Sequence, residues 1–389
     1  MTPKGRNVTV FDAEAARRSG TTRAVRRMRT DGSFAPAIEL PVPAELPGSG
    51  ELWAVPGLVD AHVHAAWHDF DAADRSARSA RETTRLTSAA LRTMFAAGFT
   101  RVRDAGGLLP GQLAEAAEHA GGSGASPFAA RAELSHALLD RAAAAAAGGL
   151  DAAVEGVLAD GANWVKLVGT AGVAAPAGAR LEPVFTAAEV RDAVQRAHAA
   201  GAEVMMHAWG GAAIDDAIEA GVRSIEHGMY LSAAQASRAA ERGTFFVPTI
   251  RIYRLVLAMI DRGELPAAFR PRVADAVAAH PVAVRVARDA GVPIAVGTDS
   301  GTPEQHGSGW HELAALVEAG LTPGEALEAA TAVGAALLDG PRGGLAADAV
   351  LLTRAPDSAE ALRDPELVAA VIRGGAPDLI TEPTERNPK

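Results

Sequence analysis

The chain has 389 residues, 48% of them hydrophobic and 22% charged, with a formal net charge of −10. This balance is that of an ordinary globular protein, and it excludes a chain too polar and too highly charged to fold. The acidic charge disfavours nucleic acid as a partner, and the lack of cysteine excludes disulfides, thiolate metal sites and cysteine nucleophiles.

The predicted elements follow a change in sequence character at Val55. Residues 1–54 hold short strand-like runs such as 8–11 and then polar, proline-rich sequence. From Val55 to about residue 339, short β-like runs alternate with alanine-rich helical stretches, as in βα units around a parallel sheet. Eight strands are predicted, at residues 55–62, 100–103, 128–132, 164–168, 203–207, 224–227, 244–248 and 294–297. Units of this kind fit a (β/α)8 barrel better than an open sheet.

One helix and two C-terminal strands complete this α/β assignment. Residues 187–200 give the clearest helix because Thr186 and Glu189 form a capping box at its start. Residues 349–353 and 368–372 are strand-like and can pair with the N-terminal strands. We therefore predict two domains: a small β-domain formed from both chain ends, residues 1–54 and 340–389, and a (β/α)8 TIM barrel over residues 55–339.

Polar side chains lie at the carboxyl ends of several predicted strands. His62 and His64 are two residues apart, so on a strand both imidazoles point to the same face and can reach one ion. Alone, this pair fits two histidines beside a loop equally well. Lys166 lies in the middle of an apolar run. A lysine there either extends its amine to the surface or, after reaction with CO₂, becomes a carbamate that can bridge two cations.

Three further residues extend the pattern. His207 and His227 end short strands, where a hydrogen-bonded rim histidine is the ordinary alternative, and Asp299 follows the last predicted strand, where a helix N-cap is the alternative. In a barrel all of these positions open toward the C-terminal mouth, where active sites lie. Their joint occurrence on five strands therefore predicts one metal site rather than a set of unrelated side chains.

These residues stand in motifs that resemble those of the amidohydrolase superfamily, and most closely its imidazolonepropionase-like and prolidase-like branch. The resemblance covers about residues 53–339 and rests on PGLVDAHVH, GFTRVRDAGG, GANWVKLVGTAGV, AGVRSIEHGMYL, TFFVPT, VGTDSGTP and ELAALVEAGLTPGEALEAAT. It implies a metal-dependent hydrolase on a TIM barrel.

The resemblance also implies a binuclear metal site. Its ligands are His62, His64 and Asp299 for the more buried ion, His207 and His227 for the other, and Lys166, as a CO₂-derived carbamate, between the two. Imidazole and carboxylate suit a pair of Zn²⁺ ions, with Mn²⁺, Fe²⁺ or Co²⁺ as alternatives. In such a site a hydroxide between the ions attacks the substrate carbonyl, and Asp299 shuttles its proton to the leaving amine.

The residues that contact the substrate are less sharply indicated. Tyr230 occupies the place of a tyrosine that holds the reacting oxygen in prolidase-like relatives, with packing at the barrel rim as the alternative. His136 is the candidate replacement for a glycine-rich, histidine-containing stretch that relatives carry after strand 3, with a surface position on the following helix as the alternative. Arg251 and Tyr253 follow the seventh strand, where a solvated loop is favoured over a carboxylate-binding pair.

We expect a small-molecule substrate, a dipeptide or an N-acyl amino acid. Two alternatives remain: a mononuclear cyclic-amide hydrolase or deaminase of the imidazolonepropionase type, which works without a bridging lysine, and a non-catalytic scaffold on the same fold. The N-terminus has no apolar signal core and no apolar run is long enough to span a bilayer, so we expect a cytoplasmic protein without a membrane partner. The resemblance implies a homo-oligomer.

Overall fold

The computed structural model describes residues 9–11, 20–44, 46, 50–69, 72–109, 111–112, 129–173, 175, 180–339 and 348–374. The strands in these ranges are β1 (Thr9–Phe11), β2 (Gly20–Arg27), β3 (Ile38–Pro43), β4 (Leu52–Pro56), β5 (Leu58–Val63), β6 (Phe99–Asp104), β7 (Arg131–Leu134), β8 (Leu138–Leu139), β9 (Trp164–Val168), β10 (Glu203–Ala208), β11 (Ser224–His227), β12 (Phe245–Val247), β13 (Ala349–Leu352) and β14 (Val368–Ile372).

The helices alternate with most of these strands. They are α1 (Ala72–Ala77), α2 (Ala80–Ala96), α3 (Arg141–Ala147), α4 (Leu150–Ala159), α5 (Ala187–Ala199), α6 (Ala212–Ala220), α7 (Ala233–Arg242), α8 (Ile250–Asp261), α9 (Arg270–Asp289), α10 (Trp310–Ala319), α11 (Pro323–Ala330), α12 (Ala332–Asp339) and α13 (Ala359–Leu362), with a short 3₁₀ helix at Ala267–Phe269. No single helix among the described residues is long and apolar enough to cross a membrane, although α3 and α4, bent by 81°, pass that test as a pair.

Two sheets of parallel strands make up the larger part of the fold. β5, β6 and β7 pair in that order in one sheet, and β8 to β12 pair successively in the other. Isolated parallel bridges join Val63 to Ser300 and Phe246 to Ile294, so residues 294–300 link β5 with β12. Parallel strands that alternate with helices give an α/β fold of TIM-barrel type.

The predicted strands compare closely with these elements, with two corrections in the barrel. The strands predicted at 100–103, 164–168, 203–207, 224–227 and 244–248 are confirmed as β6, β9, β10, β11 and β12. The third begins at Arg131, while residue 128 of the prediction lies outside the described residues. The prediction of a regular strand at 294–297 is wrong, because Val296 turns its N–H to the carbonyl of Ala329 on α11 and so interrupts the ladder.

The strand predicted at residues 55–62 is also wrong as a single element. Gly57 divides it into β4 and β5, which belong to different sheets. A Cβ atom on Gly57 would lie 2.4 Å from Thr100 Oγ1 and 2.9 Å from Asp348 Cβ, so the chain passes between the two sheets where only glycine fits.

A six-stranded sheet takes strands from both ends of the described chain, in the order β1-β14-β13-β4-β2-β3. Its strands β13 and β14 confirm the strands predicted at 349–353 and 368–372. The predicted helix at 187–200 is confirmed as α5, with both hydrogen bonds of the Thr186–Glu189 capping box. β4 runs through the predicted domain boundary at residues 54/55, and the division into two domains stays a prediction.

The interior of the parallel strands changes from apolar to polar along their length. A buried cluster inside them consists of Ala61, Ala105, Trp164, Met205, Phe245, Val247, Ala295 and Leu337. Because alternate residues of a strand share a face, Trp164 lies on the same face of β9 as Lys166, and Met205 on the same face of β10 as His207. The apolar cluster therefore forms a floor under the polar residues at the carboxyl ends of the strands.

Candidate metal centre

The side chains of the predicted ligands meet at the carboxyl ends of the parallel strands. His62 lies near the end of β5 and His64 directly after it, Lys166 lies in β9, His207 in β10 and His227 at the end of β11, and Asp299 follows the irregular segment at 294–297. All of these side chains are buried except those of His207 and Asp299, which are partly exposed.

Asp299 lies close to three of the four histidines, His62, His64 and His227. Its Oδ1 lies 3.2 Å from His64 Nε2 and 3.5 Å from His62 Nε2, and its Oδ2 lies 4.0 Å from His227 Nδ1. Lys166 Nζ lies 3.2 Å from His62 Nε2. The rings of His207 and His227 are 4.5 Å apart between centroids. The predicted ligands therefore form one continuous cluster.

The cluster fits a divalent cation. Ligand atoms of His62, His227 and Asp299 all lie within 4.8 Å of one another. Nε2 of His207 is buried and has no hydrogen-bond partner among the described residues. An imidazole nitrogen left unpaired in a buried site costs free energy unless a partner such as a metal ion uses its lone pair. Nitrogen and oxygen donors without sulfur suit Zn²⁺, Mn²⁺, Fe²⁺ or Co²⁺.

Unusual backbone conformations aim two of these side chains inward. His227 and Asp299 have φ angles of 71° and 51°, in the left-handed region that residues other than glycine rarely adopt. Such strain persists only where the surroundings fix it, and it is common at functional sites. Asp60 fixes the turn before Asp299, since its carboxylate accepts hydrogen bonds from Thr298 N at 3.0 Å and Thr298 Oγ1 at 2.7 Å.

Neighbouring groups also orient the imidazole rings. His64 Nδ1 donates to the carbonyl of Gly106 at 2.8 Å, which leaves its Nε2 to face Asp299. His227 Nδ1 forms a 2.8 Å hydrogen bond with Thr249 Oγ1, and the carbonyl of His227 accepts from His280 Nε2 at 2.8 Å. Partners of this kind set the tautomer and direction of metal-binding histidines.

Burial controls the charges of the cluster. It lowers the pKa of His62 to about 4 and that of His207 to about 3, with the positive charge of Lys166 adding to both shifts. Both imidazoles are therefore neutral at pH 7 and keep a lone pair for a cation. Burial lowers the pKa of Lys166 to about 8, so part of its amine is uncharged near neutral pH. For Asp299, burial raises the pKa, but His62, His64 and Lys166 lower it by more, and the carboxyl is ionised.

Tyr230 and His136 are the residues predicted to contact substrate. Tyr230 follows β11 and is 37% exposed, and its main-chain N–H donates to the carbonyl of Trp209 at 2.8 Å. His136 is buried between β7 and β8 and not at the surface of the following helix. Among the described residues, no hydrogen bond or ring contact joins either side chain to the ligands. Their roles stay predictions.

The expectation of a solvated loop at Arg251 and Tyr253 is wrong. Both residues lie in α8, and Tyr253 is buried. Its ring packs edge-on against His227, with 5.6 Å between the centroids, and its hydroxyl accepts a 3.3 Å hydrogen bond from Trp209 Nε1. The Glu312 carboxylate accepts hydrogen bonds from the main-chain N–H groups of Ile250 and Arg251 and so fixes the start of α8.

The sequence interpretation missed a charged pair beside the ligands, Arg103 on β6 and Glu226 on β11. Their side chains are completely buried and 2.8 Å apart, and Glu226 Oε2 lies 2.5 Å from His62 Nδ1. Both stand inside the motifs that carry the resemblance, in FTRVRD and SIEHG. A charged residue inside a predicted strand, within one of these motifs, is the signal that could have revealed them.

Comparisons with known proteins agree with this geometry. The model of the Amidohydrolase family matches residues 53–376. An uncharacterized protein of Mycobacterium tuberculosis is 32% identical over 283 residues, which cover 72% of this chain and 72% of that protein. The ochratoxinase of Aspergillus niger is 32% identical over 225 residues, 55% of this chain and 46% of the ochratoxinase.

A solved structure shares the fold over nearly the whole chain. The crystal structure of a Xaa-Pro dipeptidase with methionine bound in its active site superimposes with a TM-score of 0.74 at 25% sequence identity. The superposition covers 91% of this chain and 99% of the dipeptidase.

Proposed function

The chain belongs to the amidohydrolase family, in which it resembles the prolidase-like members, and on that premise we propose that it is a metal-dependent hydrolase of amide bonds. The proposed substrate is a dipeptide or an N-acyl amino acid. The observation that carries the proposal is the convergence of neutral imidazoles, an ionised carboxylate and a lysine amine in one buried cluster.

The proposed metal ligands are His62, His64, Lys166, His207, His227 and Asp299. They would hold two divalent cations, for which Zn²⁺ is the first candidate. Bound cations of this kind lower the pKa of water and polarise a carbonyl oxygen. Lys166 would serve as a carbamate: its neutral Nζ attacks CO₂, loses a proton and becomes an anionic group with two oxygen donors. The lowered pKa of Lys166, about 8, supports this because only the uncharged amine reacts.

Asp299 is the proposed proton carrier. Amide hydrolysis requires that the attacking water lose a proton and that the departing amine gain one. The Asp299 carboxylate is ionised and so can accept the first proton. Apolar side chains form the floor of the site, so a departing amine would enter the cluster from the mouth, where Asp299 would return the proton to it.

Tyr230 and His136 are proposed substrate contacts. Tyr230 follows the strand that carries His227 and is 37% exposed, and within the described part of the chain no hydrogen bond engages its O–H, which supports a contact with a ligand at the mouth. A phenolic donor aimed at the reacting oxygen would stabilise its developing negative charge. Both nitrogens of the His136 ring lack a hydrogen-bond partner among the described residues, which supports a contact made only when a ligand is present.

The proposed substrate class draws on the relatives. One solved relative is a Xaa-Pro dipeptidase and one curated relative is an ochratoxinase. The geometry of the cluster is compatible with a mononuclear cyclic-amide hydrolase as well, so the test must separate the two.

The test combines metal analysis with a substrate screen. We expect two equivalents of cation after reconstitution with Zn²⁺ and bicarbonate, and turnover of at least one dipeptide or N-acyl amino acid. Lys166→Ala should lose one equivalent and nearly all activity, and acetate should restore part of both by supplying the missing carboxylate. Arg191→Ala, which removes an exposed cation on α5, is the control. A Lys166→Ala protein that retains its activity would favour the mononuclear alternative, and a wild-type chain that takes up no cation would refute the proposal.

A further inference from the structure

A buried charged network lies directly behind one of the proposed ligands. Arg103 donates from Nη2 to Glu226 Oε1 at 2.8 Å, from Nη1 to Ser224 Oγ at 2.9 Å and from Nε to the carbonyl of Ala61 at 2.6 Å. The second carboxylate oxygen, Glu226 Oε2, faces His62 Nδ1 at 2.5 Å. The side chains of Arg103 and Glu226 are completely inaccessible to solvent, and that of His62 is 1% exposed.

The network determines which nitrogen of His62 carries the proton. Arginine stays protonated inside proteins, and Arg103 donates to Glu226 Oε1 at 2.8 Å, so its buried partner Glu226 is a carboxylate. A carboxylate only accepts hydrogen bonds, and His62 Nδ1 must therefore be the donor. The neutral ring then has its lone pair on Nε2, the atom that faces Lys166 Nζ at 3.2 Å and Asp299 Oδ1 at 3.5 Å.

We propose that Glu226, held in place by Arg103, is a positioning residue that fixes the tautomer and orientation of His62 and strengthens Nε2 as a donor to a divalent cation. This inference rests on the proposed function. Both oxygens of Glu226 are engaged, one by Arg103 and one by His62, so Glu226 acts through His62 and is not itself a ligand.

His62 differs in this respect from its neighbours in the cluster. His64 Nδ1 donates to a main-chain carbonyl and His227 Nδ1 meets a hydroxyl, whereas His62 has a charged partner. A hydrogen bond to a carboxylate is about twice as strong as one between neutral groups. It also shifts negative charge toward the ring and makes the imidazole a better metal donor. The cation bound by His62 should therefore depend most on its supporting residue.

A purely structural role is the competing explanation, because a buried ion pair between β6 and β11 could exist without any metal. The two roles differ in what a substitution changes. Loss of a structural pair lowers stability alone, while loss of the support for His62 also weakens cation binding in protein that is still folded.

The experiment uses protein that circular dichroism shows to be folded. It measures the Zn²⁺ affinity by competition with a chromogenic chelator. It also records the visible absorption spectrum of the Co²⁺-loaded protein. Glu226→Gln keeps the shape and removes the charge. Because it leaves Arg103 buried without a counterion, the double variant Arg103→Met/Glu226→Gln, which removes both charges, is measured as well. Asp348→Asn is the matched control: Asp348 is another buried carboxylate paired with an arginine, but it lies at the opposite end of β5 from His62.

We expect Glu226→Gln and the double variant to bind one cation roughly 10–100-fold more weakly and to show an altered Co²⁺ spectrum, while Asp348→Asn keeps wild-type affinity and spectrum. Variants that bind both cations as tightly as wild type, with an unchanged spectrum and only a lower urea midpoint, would overturn the inference and leave the proposed function standing. A wild-type chain that binds no cation would overturn the proposed function and this inference with it.

Discussion

A single methyl group added at Gly297 should displace His62, one of the proposed metal ligands. A Cβ atom at this position would lie 2.4 Å from Val247 Cγ1 and 2.8 Å from His62 Cβ. Carbon atoms in contact are normally about 3.5–4.0 Å apart. Gly297→Ala therefore requires Val247 and His62 to move by about 1 Å, and overpacking of this size typically costs about 1–3 kcal/mol.

The movement of His62 should affect function more than stability. A displacement of about 1 Å in a catalytic constellation can lower the rate about 100-fold. We expect Gly297→Ala to lose about 1–3 kcal/mol of unfolding free energy in urea titrations of the metal-free protein, and to bind Zn²⁺ more weakly in chelator competition.

The same substitution elsewhere provides the control. Gly156 lies in α4 and is exposed, and a Cβ atom there would meet nothing within 4 Å apart from its chain neighbours and the backbone of its own helix. Gly156→Ala should therefore stabilise the protein by about 0.5–1 kcal/mol, because glycine in a helix interior has more conformational freedom to lose than alanine. If both variants shifted the urea midpoint equally, or if Gly297→Ala kept wild-type metal affinity, the packing argument would be refuted.

Three further predictions concern stability, measured by urea titration. Thr186→Ala removes the side chain that caps α5 and should cost about 0.5–2 kcal/mol, and no loss would argue against the capping box. Phe95→Ala empties a fully buried position of α2 and should cost about 3–5 kcal/mol, with a smaller loss meaning that the core closes around the cavity. The hydrogen bond from Arg141, and after it a main-chain hydrogen bond from Thr186, lowers the pKa of Glu189 from 4.5 to about 2. Ionised Glu189 therefore stabilises the fold fully above pH 4.5, and this contribution is lost as the pH falls through about 2. Glu189→Gln should therefore be less stable than wild type at pH 6, by under about 1 kcal/mol because the pair is partly exposed. The difference should shrink as the pH falls toward and through about 2, and a difference that stays constant between pH 6 and pH 2 would contradict the assignment to charge.

The sequence was sufficient to predict which side chains meet at the carboxyl ends of the strands. His207 and His227 are polar residues at the ends of short apolar runs, and the side-chain period of a strand fixes which face they share with their neighbours. Their convergence follows from the parallel arrangement, which brings all such ends to one edge.

The parts that could not be predicted depend on contacts between distant segments. Gly57 divides β4 from β5 because Thr100 and Asp348 approach its Cα, and neither residue is near it in the sequence. The left-handed conformation of Asp299 depends on hydrogen bonds from the adjoining turn to Asp60, far earlier in the chain. Periodicity reports only on the face of a local element, so it carries no information about such contacts.

The pairing of Arg103 with Glu226 escaped prediction for a related reason. On sequence alone each is a charged residue in a strand, and a strand charge is ordinarily solvated. Only the register of β6 and β11 inside the fold brings them within 2.8 Å of each other. Supporting residues of a site are therefore harder to infer than the ligands, which occupy recognisable strand ends.

The wide separation of the ligands along the chain has a kinetic consequence. His62 and Asp299 lie at opposite ends of the barrel sequence, and the segment that carries Asp299 contacts both β5 and β12. Contacts between residues so far apart form slowly, since the entropy of closing long loops is lost before the contacts repay it. A cation that recognises only the finished cluster would thus bind after the rate-limiting step of folding. Such a cation would slow unfolding and so prolong the lifetime of the native state, while the folding rate would stay unchanged.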